Sequence, residues 1–238
     1  MNCSQKAKNV PICWGYEEEN GPEVWGRLTA EYRICDTGIH QSPIDIVNPT
    51  PAQLSAITFN YRSASVTIRN TENTIQVEYP KGNWIEIDGT KYHLLQFHFH
   101  APSEHTVVGE LYDMEMHLVH ESEDGTLAVI GVLIKSGNVN TAFDSFWHLM
   151  PSVADAAEQV PSVALNASDL LPDTKGTYRY DGSLTTPPCS EGVKWLVMTT
   201  PIEMSESQIA AFRAIFNGNN RPVQPLNGRE LFVTENEN

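Results

Sequence analysis

The chain has 238 residues, 40% of them apolar and 19% charged, which suits a globular protein with a sizeable core and excludes wholesale disorder or a fibrous repeat. Fifteen basic against thirty acidic residues leave a formal net charge of −15, a balance that repels nucleic-acid phosphates and anionic lipid surfaces. No window reaches the roughly 18 continuous apolar residues of a membrane-spanning helix, and Met1 to Lys6 lack the apolar stretch of a signal peptide.

In chain order, residues 1–13 read as an N-terminal arm, 14–232 as one domain and 233–238 as a tail. Turn signals punctuate the domain at Asn20-Gly21-Pro22, Asn48-Pro49, Pro80-Lys81-Gly82-Asn83, Asp88-Gly89, Asp124-Gly125 and Ser136-Gly137-Asn138. Between them lie short runs with the β-branched and aromatic bias of strands: Ser65–Ile68, Thr74–Val77, Trp84–Ile87 and Leu127–Ile134. Helical pattern is confined to Ala142–Met150, Val153–Gln159 and Ser205–Phe216. In the last of these, Ser205 and Gln208 predict a capping box, and Ile209, Phe212, Ile215 and Phe216 share a face. The predicted class is mainly β, an α+β single domain with short helices on its outside.

Four cysteines stand at 3, 13, 35 and 189 without a CxxC spacing, which gives a thiolate zinc finger or a redox motif little support. Their even number suggests pairing, with three connectivities open and buried free thiols as the alternative.

In Gln96-Phe97-His98-Phe99-His100, strand alternation sends Gln96, His98 and His100 to one face and both phenylalanines to the other. A second alternating run, Glu115 to His120, puts Glu115, His117 and Val119 on a common face. Antiparallel pairing of the two runs brings a third imidazole within reach. Three neutral nitrogens suit zinc and leave its fourth tetrahedral position open, as catalytic sites do. Gln96 and Glu115 each stand two residues before a candidate ligand, placed to accept its ring N–H and fix the tautomer. His93, His105 and His120 break this facing rule and read as structural.

These runs, together with Gln41-Ser42-Pro43-Ile44-Asp45, Ser103-Glu104-His105 and Ser183-Leu184-Thr185-Thr186-Pro187-Pro188, resemble the alpha-class carbonic anhydrases. Trp14-Gly15-Tyr16 opens the similarity and Asn219 to Leu226 closes it, so it runs nearly end to end. The short Ala101-Pro102 connection is similar to the bacterial, extracellular members. The resemblance implies a central twisted, mostly antiparallel sheet of about ten strands, the alpha carbonic anhydrase fold, with zinc at the base of a cleft. It implies a Cys35–Cys189 disulfide, leaving Cys3 and Cys13 to bridge locally or Cys3 to act elsewhere, and cis bonds at Ser42-Pro43 and Pro187-Pro188.

The activity implied is reversible hydration of carbon dioxide to bicarbonate by zinc-bound hydroxide, formed near neutral pH as is established for carbonic anhydrases as a class. By the same resemblance Thr185 and Glu104 orient the nucleophile, and Thr186 assists with bicarbonate. Val119, Val129, Leu184, Val193 and Trp195 form the apolar substrate wall; each also reads as plain core packing. Asn73 occupies the position of the family's histidine proton relay, where an amide cannot titrate, leaving Tyr16 or Glu72 as the other candidates. Sulfonamides and anions are the inhibitors implied, a homodimer is compatible with this reading, and the location implied is secreted or periplasmic. The rival readings are a zinc esterase and an inactive binding module of the same fold.

Overall fold

The computed structural model describes residues 13–154 and 156–234, without the side chains of 158–164. Ten strands make one curled sheet: β1 (Thr50–Ala52), β2 (Ala64–Asn70), β3 (Ile75–Glu78), β4 (Thr90–His100), β5 (Met114–Ser122), β6 (Leu127–Ser136), β7 (Ala157–Leu165), β8 (Thr177–Ser183), β9 (Glu191–Met198) and β10 (Phe232–Thr234). Their spatial order is β7-β2-β3-β4-β5-β6-β9-β8-β10-β1. Seven of these nine pairings are antiparallel, and β6–β9 and β10–β1 are parallel. Thr58–Asn60, Trp84–Ile87 and Ile202–Met204 add to this sheet, and a separate small sheet joins Asp45–Ile46, Thr106–Val107 and Glu110–Leu111. The architecture is the mainly β one expected, and β10 runs two residues past the expected domain end at 232.

The alternation read at the centre of the sheet places an aromatic core behind the site. Phe97 and Phe99 are fully buried, and their rings meet Phe146 at 5.9 Å and Trp147 at 4.9 Å respectively, with Phe212 5.9 Å from Phe99. Phe212 comes from the helix Glu206–Arg213, whose capping box forms as the sequence predicts: Ser205 accepts from the Gln208 N–H and the Gln208 side chain returns to the Ser205 N–H. Ile209 is buried beside Phe212, and Ile215 and Phe216 pack against the same core. The Ala142–Met150 helix is shorter than expected, a 3-10 turn at Thr141–Phe143 followed by one α turn at Asp144–Trp147.

The helix expected over Val153–Gln159 is not formed. From Ala157 the chain is instead the strand β7, in register with β2 from Ala157 opposite Arg69 to Val160 opposite Val66. The open edge of β2 offers a row of backbone partners, and that ladder outweighs a weak local helical pattern. Pro161, which cannot donate to a ladder, is tolerated because β7 is an edge strand.

Cys35 and Cys189 form a disulfide across 154 residues of chain. Cys13 is also disulfide-bonded; the expected local pairing with Cys3 falls on a residue outside those described. The two expected cis bonds are present, with a third at Ala101-Pro102.

His120 points away from the candidate ligands, buried, with a ring nitrogen 2.7 Å from the Tyr61 hydroxyl. Burial lowers its pKa from 6.5 to about 3. Between those two values the unfolded chain takes up a proton that the folded one refuses, so stability falls as pH drops through this window, by up to about 4–5 kcal/mol. Urea unfolding from pH 7 to 4 should therefore show a shallower acid loss for His120→Gln than for wild type, whatever the variant's offset at pH 7.

Candidate metal centre

Register carries the three candidate ligands to one place. His117 on β5 lies directly opposite His98 on β4, and Glu115 lies opposite His100. Each imidazole offers one nitrogen, and the three nitrogens lie within 4.8 Å of one another. Ring centroids are 5.1 Å apart for His98 and His100, 5.3 Å for His98 and His117, and 4.7 Å for His100 and His117.

The opposite nitrogen of each ring is already engaged. His98 Nδ1 donates to Gln96 Oε1 at 2.9 Å, His100 Nδ1 to the Asn219 carbonyl at 2.7 Å, and His117 Nε2 to Glu115 Oε1 at 2.9 Å. These oxygens only accept, so each ring carries its proton on the outer side and turns a lone pair inward, at Nε2 of His98 and His100 and Nδ1 of His117. Burial holds all three rings neutral, lowering His98 well below 6.5, His100 to about 4, and His117 below its usual value.

Glu115 is fully buried. Burial alone would raise its pKa, yet His105 and His117 hold it well below the usual carboxylate range. Besides His117 it accepts from the backbone N–H of Glu104 at 2.9 Å and of His105 at 2.8 Å, and from His105 Nδ1 at 2.7 Å. With its oxygens spent in this way, the grouping of His105, Glu115 and His117 supports the centre and is not a second one. Gly131, opposite His117, leaves the room: a Cβ there would stand 3.0 Å from Glu115 Oε1. The chain of contacts continues from His105 Nε2 to the Tyr180 hydroxyl at 2.7 Å and on to Ser42 Oγ at 2.8 Å.

Two buried polar atoms at the centre lack any hydrogen bond, His100 Nε2 and Glu104 Oε2. Glu104 Oε2 is 3.5 Å from His100 Nε2 and 3.8 Å from His117 Nδ1, so it faces the same corner as the lone pairs. Buried acceptors that converge without a donor are costly unless a cation meets them. The donor set fits a divalent metal that favours imidazole nitrogen. Burial pushes the Glu104 carboxyl up to about 7, against the pull of His117, the Arg221 N–H and the Thr185 hydroxyl beside it.

The expected wall residues lie in one apolar cluster, with Val119, Val129, Val193 and Trp195 buried and Leu184 packed against them. The Trp195 ring is 4.8 Å from His117. Thr185 is buried, while Thr186 is half-buried and its carbonyl receives the Cys189 N–H. Tyr16 and Asn73 line a cavity of about 550 Å³ with Trp14, Glu72, Phe216 and Asn219. Burial, and next the Glu104 charge, raise the Tyr16 phenol well above 10. A larger cavity of about 740 Å³, edged by Arg179, Tyr180, Lys194 and Arg229, contains none of the three histidines.

Sequence reasoning missed the Asn219 carbonyl, the Arg221 backbone N–H on Glu104 Oε1 at 2.8 Å, and the part of His105 in holding Glu115. The first two are main-chain groups, which leave no residue signature. The third joins His105, read above as structural, to Glu115, a pairing that their spacing does not signal.

A three-histidine centre in a curled β-sheet defines a class of metal-dependent enzymes, and comparison with known proteins narrows it. The chain belongs to the eukaryotic-type carbonic anhydrase family, whose model matches residues 20–235. It is 47% identical to a carbonic anhydrase of Klebsiella pneumoniae over 91% of this chain and 89% of that one. The alpha carbonic anhydrase of Thermovibrio ammonificans, solved with the inhibitor sulfanilamide, superposes with a TM-score of 0.91 at 42% identity, covering 95% of this chain and all of that one. Dioscorin, solved with ascorbate, superposes at 0.87 and 32% identity over 93% and 98%. Carbonic anhydrase activity, a lyase reaction, is the function that this membership carries.

Removing the Glu115 charge tests the outer support. Glu115→Gln should fold, and should lower metal affinity by roughly 10–100-fold in a chelator competition.

Proposed function

We propose that the chain hydrates carbon dioxide reversibly to bicarbonate and a proton, with zinc held by His98, His100 and His117. The observation that carries this reading is the set of three inward lone pairs, each fixed by an acceptor behind its ring. Zinc held by these three rings would supply the polarisation that makes water a nucleophile near neutral pH, as in carbonic anhydrases generally.

The remaining roles belong to side chains. Beside a divalent cation Glu104 would stay ionised and only accept, so the Thr185 hydroxyl would donate to it and keep its own oxygen as an acceptor. Thr185 Oγ1 could then accept from the nucleophile's O–H and turn a lone pair of that oxygen toward the substrate. Carbon dioxide, uncharged and nearly without dipole, sits against Val119, Leu184 and Trp195, with Val129 and Val193 behind. The Thr185 backbone N–H meets the negative charge that develops on oxygen, and Thr186 holds bicarbonate as it forms. Asn73 cannot pass on the product proton, and the raised pKa of Tyr16 makes that phenol a poor acceptor. Slow ester hydrolysis is a side activity of the same nucleophile, and the Cys35–Cys189 bridge supports a secreted or periplasmic location.

A second reading, a binding protein of this fold without turnover, draws on the likeness to dioscorin, solved with ascorbate. Metal analysis and stopped-flow hydration separate the two. Zinc should copurify near one per chain, its removal should abolish hydration, and sulfanilamide should inhibit; a zinc-loaded chain without hydration would leave the binding reading. For the proton step, kcat should rise with imidazole buffer concentration. Asn73→His should raise kcat in weak buffer, up to the ~10²-fold worth of a positioned proton transfer, with kcat/KM nearly unchanged.

A further inference from the structure

Three consecutive residues outside any helix or strand, Asn219 to Arg221, reach most of the centre. The Asn219 carbonyl fixes His100 at 2.7 Å, its Oδ1 accepts the Ala101 N–H at 2.9 Å, and its Nδ2 donates to the Asn73 and Phe99 carbonyls at 3.0 Å. Asn220 Nδ2 donates to the Ser103 carbonyl at 3.3 Å, and the Arg221 N–H holds Glu104 Oε1 at 2.8 Å. A segment with no ladder of its own has to be held in place by something else.

The Arg221 side chain meets that need. It is 2% exposed. Its Nη1 donates to Gln41 Oε1 and the Ser42 carbonyl, and its Nη2 to the Cys35 carbonyl, all at 2.8 Å. The guanidinium also lies 5.8 Å from the Trp25 ring. No carboxylate lies within ion-pair distance among the described residues, so neutral acceptors and an aromatic face satisfy this buried cation. An apolar side chain in its place would leave three acceptors without a donor, so the contact carries stability. A planar fork reaching three fixed acceptors also sets geometry. The Cys35 end is bonded to Cys189, whose N–H donates to the Thr186 carbonyl. The guanidinium thus links the segment under Glu104 and His100 to the loop that carries Thr185.

We infer that Arg221 is a positioning residue for the reaction: its guanidinium seats the 219–221 segment on the Cys35–Ser42 segment, fixing Glu104 and His100 relative to Thr185. This rests on the zinc-dependent hydration proposed above.

The test compares wild type, Arg221→Met, Arg221→Lys and the core variant Ile85→Ala, buried opposite Tyr92 toward the other end of β4, each loaded with zinc for activity and with cobalt(II) for its visible spectrum. Arg221→Met should lower metal affinity roughly 10–100-fold, alter the cobalt spectrum and reduce kcat/KM of the fully loaded enzyme about 10-fold or more, with Arg221→Lys between it and wild type. Ile85→Ala should lose thermal stability and leave spectrum, affinity and kcat/KM unchanged. An Arg221→Met protein that loses stability but keeps all three readouts would make Arg221 a structural residue only and overturn the inference. Should Arg221→Met fail to fold, Gln41→Ala removes one acceptor, and the same three readouts decide: a smaller shift in each supports the inference, and wild-type values overturn it. If wild type itself does not hydrate carbon dioxide, the proposed function falls, while affinity and cobalt spectrum still report on Arg221.

Discussion

Three imidazoles crowded onto one face of the sheet aim their lone pairs at one point only if every ring proton is drawn outward, and most of the site's construction serves that requirement. The drawing is done by three different acceptors: an amide on the same strand, a backbone carbonyl 119 residues away, and a carboxylate. The carboxylate is the most demanding of them. Keeping Glu115 ionised without water requires two imidazoles and two backbone N–H groups around it, and a glycine on the next strand so that nothing intrudes.

Rigidity comes from the other face of the same strand. Phe97 and Phe99 are locked among Phe143, Phe146, Trp147 and Phe212, so the β4 backbone has little freedom to drift. Ligands on such a strand need no reorganisation when a metal arrives, and preplaced ligands bind and tune a metal better than mobile ones. Strand pairing then converts sequence spacing into site geometry: with His117 opposite His98, a one-residue slip would send His117 into the aromatic core.

That part of the site was legible in the sequence because side-chain alternation has a strict period of two. Gln96, His98 and His100 had to share a face, and the structure brings them together with Glu115 and His117. What stayed hidden depends on backbone groups or on distant pairing. Any residue type can present the carbonyl that Asn219 offers to His100, and the amide by which Arg221 holds Glu104 is equally anonymous. The misread stretch at Val153–Gln159 has the same origin: a local pattern could not foresee that β2 would have a free edge for Ala157 onward to occupy. The wall residues Val129, Val193 and Trp195 illustrate a third limit, since they are nearly fully buried and serve as ordinary packing whatever else they do.

The long separation between His100 and Asn219 also governs when the site comes into being during synthesis. The two histidine strands leave the ribosome early, but the carbonyl that settles the tautomer of one ligand is made more than a hundred residues later. Until the 219–221 segment has folded against β4, the His100 ring proton lacks the acceptor that fixes its tautomer, so the inward arrangement of three lone pairs belongs to the finished fold and not to the two histidine strands alone.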